Sequence, residues 1–187
     1  MFDENAFGVL VSYYDIENDE YGLEPDAFAE RWQEFRAAWR ECLGIWQLGQ
    51  GARALDLGHA LYLEVVEGDQ SEDPIVWLKM VRARIEEKGF TSVGVVTYGG
   101  RWQEEEAAAA DAEVGGVRVR TASMPSEPLR RALAADAASR YDEEDAPEGW
   151  GVGLYADTDA IEALGKKFKN APTPLSIAGA TFYRVAR

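Results

Sequence analysis

Between residues 73 and 98 the spacing of apolar positions changes period once. Ile75, Leu78, Met80, Val81 and Ile85 recur at helical spacing among Lys79, Arg82, Arg84, Glu86, Glu87 and Lys88. Val93, Val95 and Val96 then sit in a β-branched run with Thr91 and Thr97. The first pattern predicts an amphipathic helix and the second a strand. Asp73 is placed to accept from the free N–H groups of the first turn, Pro74 suits the first helical position, and Gly89 suits the left-handed stop. This helix-to-strand crossover organises the reading of the rest of the chain.

Upstream, Phe7–Tyr14 is dense in strand formers, with Val9, Val11 and Tyr13 on one side and Leu10 and Tyr14 on the other. A central strand, apolar on both faces, is expected. Asp15–Glu24 reads as an acidic turn that ends at Pro25. The helix that follows, Asp26–Leu43, carries Phe28, Trp32, Phe35, Trp39 and Leu43 as one continuous stripe. Aromatics at that spacing belong in a core. Ile45–Leu48 and Ala52–Leu57 read as one strand interrupted by Gly49 and Gly51, and Ala60–Glu67 as a second, with the turn between them at Asp56–Gly58. The order through Tyr98 is then strand, helix, strand, strand, helix, strand. This is the ferredoxin-like βαββαβ order, with both helices on one face of an antiparallel sheet.

The alanine- and glutamate-rich stretch 103–116 has no large apolar face and is expected to be an exposed connector. Beyond it, Val117–Ala122 alternates as a strand. Ser126 can cap a helix to Arg140 with Leu129, Leu133 and Ala137 inward, and Asp142–Glu148 is an acidic loop. A strand over Trp150–Tyr155, a short helix over Thr158–Gly165 capped by Asp157 or Thr158, and a final strand or hairpin around Gly179 over Leu175–Val185 complete the chain. The predicted class is α+β: a ferredoxin-like unit over residues 1–102 and a smaller α+β unit over 117–187, sharing one core or packed as neighbours.

Composition narrows the function classes. The 187 residues hold 34 acidic and 19 basic side chains, for a net charge of −15. Such a surface repels phosphate backbones and anionic lipid, which argues against nucleic acid and membranes as partners. The start of the chain lacks the basic and apolar pattern of a secretion signal, so a cytoplasmic location is expected. A single cysteine, Cys42, excludes an internal disulfide and a cysteine-based zinc cluster. His59 is the only imidazole. Neither Cys42 nor His59 sits in a nucleophile signature, and both are read as structural. The run Asp15, Glu17, Asp19, Glu20 fails the calcium-loop template, because glutamate stands at the position that needs glycine. None of the glycine pairs has the context of a phosphate loop. No cofactor and no metal are expected.

The expectation is therefore a non-catalytic acidic protein that engages a basic protein partner, as toxin-neutralising immunity proteins do, an analogy of charge alone. Tyr14, Asp15, Glu17, Asp19, Arg101, Trp102 and Asp157 would carry the contact, since tyrosine, tryptophan and arginine anchor interfaces. The alternative is a small-molecule sensor or enzyme with a carboxylate-lined pocket between the two units, using Asp15, Glu64 or Asp157 as acid or base. A carboxyl of raised pKa lining a pocket would favour the second reading.

Overall fold

A computed structural model describes residues 4–44, 52–69, 72–101, 111–114, 117–120, 126–140, 150–167 and 173–186. In chain order the elements are β1 (Glu4–Tyr13), α1 (Ile16–Gly22), α2 (Pro25–Leu43), β2 (Arg53–Asp56), β3 (Ala60–Val66), α3 (Pro74–Glu87) and β4 (Ser92–Arg101). They continue with β5 (Asp111–Val114), β6 (Val117–Arg120), α4 (Glu127–Ser139), β7 (Leu154–Asp157), α5 (Thr158–Ala163), β8 (Leu175–Ile177) and β9 (Ala180–Ala186). Seven strands form one sheet in the order β2-β3-β1-β4-β7-β9-β8, and β5 with β6 forms a separate hairpin. The α+β class is as expected. β1 lies antiparallel to both β3 and β4, while β7 joins β4 in parallel, so strands from the second half extend the sheet begun by the first. Among the described residues no helix is long and apolar enough to cross a membrane.

The crossover at residues 73–98 forms as its pattern dictates. Asp73 accepts from Ile75 N at 2.9 Å and Val76 N at 3.3 Å, and Gly89 takes a φ of +81° after the last helical turn. Its buried face includes Trp77 rather than Met80, which is 38% exposed. Arg82, read as a surface residue, is buried, and its guanidinium donates to Ser92 O at 3.1 Å. Gly94 makes room for it, since a Cβ there would stand 2.8 Å from the Arg82 Cδ.

Side chains of β1 divide between two cores. Val9, Val11 and Tyr13 face α2, α3 and α5, where Phe35, Trp39, Leu78, Val81 and Ile161 pack. Within that layer Tyr13 stacks on Phe35 at 5.2 Å and meets Phe90 edge-on at 5.0 Å. Each such pair adds roughly 0.5–1.5 kcal/mol to the burial of its rings. Leu10 faces the other way, into a core made with Tyr62, Val95, Tyr155, Phe182 and the α4 residues Leu129, Ala132, Ala135 and Ala138. The two helices of the ferredoxin-like half, α2 and α3, thus share one face as expected, and α4 from the second half covers the other.

The contact face of α4 also departs from the pattern reading. Ala137 is exposed and Leu133 half-buried, whereas Ala132, Ala135, Asp136 and Ser139 are buried. Small side chains let α4 lie close over Gly8, where a Cβ would meet Tyr62 Oη at 2.6 Å and Pro128 Cβ at 2.9 Å. Two further expectations change. The acidic turn at Asp15–Glu24 contains α1, and the end of the exposed connector is strand β5. The acidic loop 142–148 lies outside the described residues.

Candidate functional site

At the end of the sheet where β1 finishes and β3 begins, three elements bring titratable groups together. The turn from β2 to β3 is held by Gly58 N donating to Asp56 Oδ1 at 3.1 Å, and Tyr13 N donates to His59 O at 3.0 Å. That fixes the His59 backbone against the last residue of β1. From the facing helix, Asp136 and Arg140 stand one turn apart, and the Arg140 Nε lies 3.4 Å from Asp136 Oδ2.

Asp136 is the hub. It is 1% exposed and accepts from the Ser12 hydroxyl at Oδ1 and from His59 Nε2 at Oδ2, the latter at 2.9 Å. Burial by itself would raise its carboxyl, but the His59 hydrogen bond, the Arg140 charge and the Ser12 hydroxyl outweigh it and hold the group below its ordinary value. Asp136 is therefore a carboxylate at neutral pH. A carboxylate only accepts, so the ring nitrogen facing it, His59 Nε2, carries a hydrogen. Nδ1 is left as the nitrogen available to a ligand, on a side chain that is 39% exposed.

Arg140 completes the floor of the site. It donates to Tyr13 O at 3.0 Å and Tyr14 O at 3.2 Å, which ties the end of α4 to the chain as it leaves β1. Asp15 follows immediately. It occupies the position before α1 without a side-chain capping bond, and it has no ion pair among the described residues. Ser12 is wholly buried and bonded to Asp136 rather than to His59, so it is not placed as a nucleophile.

A second polar cluster lies at the opposite end of the sheet. Asp157 is 1% exposed and accepts from Ala160 N at 2.8 Å, Arg131 at 3.2 Å and Tyr98 N at 3.3 Å. Burial pushes its carboxyl up to about 6 against the pull of those donors. Arg131 is raised as well: burial would lower it, but hydrogen bonds to Asp159 and Asp157 outweigh that and hold it firmly protonated. A cavity of about 260 Å³ lined by Arg131, Asp157, Asp159, Gly179 and Thr181 opens there, beside another of about 280 Å³ that includes Glu127 and Arg130. The tip of the β8–β9 turn, with Gly179 at a φ of +79°, forms the opposite wall.

The residues expected to carry a partner contact do not form one surface. Tyr14 and Asp15 lie at the Asp136 end; Asp19 pairs with Arg31 at 3.3 Å and accepts from Tyr13, and Glu17 is exposed on α1. Arg101 lies at the other end of β4, opposite Glu4, buried against Glu64 at 3.6 Å and Glu4 at 3.3 Å. Asp157 is equally buried, and Trp102 lies outside the described residues. Cys42 belongs to the core on the α2 side, where burial raises its thiol. Sequence reasoning missed Ser12, Asp136 and Arg140 altogether. The available signal was an aspartate and an arginine four apart near the end of a capped helix, with one histidine opening a strand.

No known family model matches the chain, and no curated protein resembles it in sequence. The fold does have close counterparts among solved structures. The adenylyl cyclase CyaB from P. aeruginosa superposes with a TM-score of 0.55 at 8% identity, over 97% of this chain and 93% of that one. The guanylate cyclase domain of RhGC from Catenaria anguillulae, solved in complex with GTP, gives 0.54 at 9% identity over 98% and 97%. The dimeric guanylyl cyclase domain of RhoGC from Blastocladiella emersonii gives 0.53 at 10% identity over 100% and 99%. These neighbours overturn the expectation of a non-catalytic protein that binds a basic partner. They are cyclase domains, and the one whose assembly is described as dimeric pairs with a second copy. The partner surface also fails physically, because Arg101 and Asp157 spend their charge inside the fold. At this level of identity the likeness establishes the fold alone.

Proposed function

We propose that this chain is a nucleotide-cyclase-type domain that takes a purine nucleoside triphosphate at the sheet end formed by Tyr14, Asp15, His59, Asp136 and Arg140. The observation that carries the reading is coverage. The likeness runs through nearly the whole of this chain and of its neighbours, so it extends well past the ferredoxin-like βαββαβ half. One neighbour is a complex with GTP, and another holds the ATP analogue ATPαS. The local chemistry supports the same reading. Arg140, whose terminal nitrogens carry more N–H groups than its two carbonyl partners take up, is the donor for phosphate oxygens, and the half-exposed Tyr14 offers a ring edge for a base.

Among the described residues no group of three or more histidine, cysteine, aspartate or glutamate side chains is arranged to hold a metal ion. A divalent ion would come in with the triphosphate. The test is direct. ATP and GTP with magnesium or manganese are titrated against tryptophan fluorescence up to about 1 mM, and cyclic product is measured in the same samples. Saturable binding with product formation is expected; failure of both nucleotides to bind would overturn the reading.

A second reading has one specific observation in its favour. Arg140 already donates to two backbone carbonyls and faces Asp136, so a domain that binds the nucleotide without turning it over fits that arrangement too. Binding without product separates the two.

A further inference from the structure

We propose that His59 is the general base of this site, its Nδ1 taking the proton of the ribose 3′-hydroxyl, with Asp136 as the residue that positions it. This rests on the nucleotide reading above and adds to it a residue and a role.

The argument runs from the buried carboxylate outward. Asp136 is almost fully buried yet ionised, fixed on one oxygen by Ser12 and on the other by His59 and Arg140. Such a group cannot reach a ligand, but it can hold an imidazole in one tautomer and one orientation. With Nε2–H committed to Asp136, the lone pair of the neutral ring is on Nδ1. The ring stands on a turn whose backbone is pinned to β1, so its position is set from both sides. A base oriented by a third group and itself 39% exposed is the arrangement proton abstraction requires. The charged groups facing the ring are Asp136 of α4 and, behind it, Arg140 at the helix's C-terminal cap; β1 contributes the Ser12 hydroxyl.

The step balances without any further reactant. The 3′-oxygen forms a bond to the α-phosphorus as its proton passes to Nδ1, the bond from that phosphorus to the bridging oxygen breaks, and pyrophosphate leaves with the electron pair. The imidazolium formed is stabilised by the adjacent Asp136 carboxylate, as a positioned carboxylate does for an imidazolium elsewhere.

The experiment compares wild type with His59→Ala and Asp136→Asn, each titrated with nucleotide and assayed for cyclic product, with and without added imidazole. His59→Ala is expected to bind within a fewfold of wild type and to lose about 10²–10⁴ in turnover, the usual worth of a general base. Free imidazole should restore part of that loss in His59→Ala and none in Asp136→Asn, a rescue that a merely structural histidine would not show. Asp136→Asn should lower turnover with little change in KM. Unchanged turnover in His59→Ala would overturn the proposal while leaving nucleotide binding intact. Wild-type binding without product would overturn it as well, and absence of binding would remove the functional reading on which it stands.

Discussion

Two buried aspartates on opposite ends of the same sheet show how neighbours decide a side chain's behaviour. Asp136 and Asp157 are each 1% exposed, yet Asp136 lies below the ordinary carboxyl value and Asp157 near 6. Burial raises both. Asp136 offsets it with an imidazole, a hydroxyl and a guanidinium close at hand, whereas Asp157 shares its guanidinium, Arg131, with Glu127 and Asp159. A folded value raised from 3.8 to about 6 means that the folded state binds the proton more tightly than the unfolded chain. The stabilisation from that proton is fully present below pH 3.8 and is lost as pH rises through 6. At ~1.4 kcal/mol per pH unit the interval corresponds to ~3 kcal/mol. We predict that Asp157→Asn, which keeps an oxygen for Ala160 N, gains on wild type by up to ~3 kcal/mol between pH 4 and pH 7 in denaturant unfolding. The other carboxylates cancel in that difference. A gap that stays constant with pH would show that Arg131 compensates the buried charge in full.

Helices α3 and α4 are each started by a capping residue, and the two caps carry different loads. Asp73 serves only the first turn of α3 and a rim ion pair with Lys166, and Asp73→Ala should cost about 1 kcal/mol. Ser126 accepts from Leu129 N at 3.4 Å and also donates to Glu64, a buried carboxylate that Tyr62 Oη contacts at 2.9 Å. Removing it takes away a cap and a donor to a buried charge, so Ser126→Ala should cost about 2–4 kcal/mol, measured by the same unfolding experiment. Equal losses at the two positions would mean that Glu64 needs no help from α4. The contrast also explains what was readable beforehand. The α3 start, its glycine stop and the β-branched strand are signals within a few residues of one another. The Phe35 and Trp39 stripe is another, since its period alone assigns a face. The inner face of α4 was not readable that way. Close packing over Gly8 selects alanine and serine, and the large apolar Leu133 that a period search follows lies at the margin. Asp136 sits on that same inner face, so the reading that misplaced the face also missed the site. α1 left no trace because none of its residues is fully buried, only Ile16 packs against the core, and it has no side-chain cap.

At the scale of the molecule, net charge and fold point to different partners. A charge of −15 first suggested a basic protein, an association that salt would weaken. A nucleoside triphosphate with its divalent ion is still an anion, and it approaches a surface of its own sign; the nearest fixed positive charge in the site, Arg140, is already partly spent on Asp136. Long-range repulsion then slows encounter, while contact at the site depends on short-range hydrogen bonds that screening barely touches. Raising ionic strength shortens the screening length from roughly 30 Å at 0.01 M to roughly 10 Å at 0.1 M, less than the width of a domain of this size. We therefore predict that the association rate of magnesium nucleotide, followed by stopped-flow tryptophan fluorescence, rises by about two- to fivefold between ~0.01 and ~0.1 M potassium chloride, with the dissociation rate nearly constant. A rate that falls with salt would mean that a positive field guides the ligand in. Arg140 and Arg36 do not supply one, because Arg140 faces Asp136 and Arg36 is paired with Asp56 at 2.7 Å.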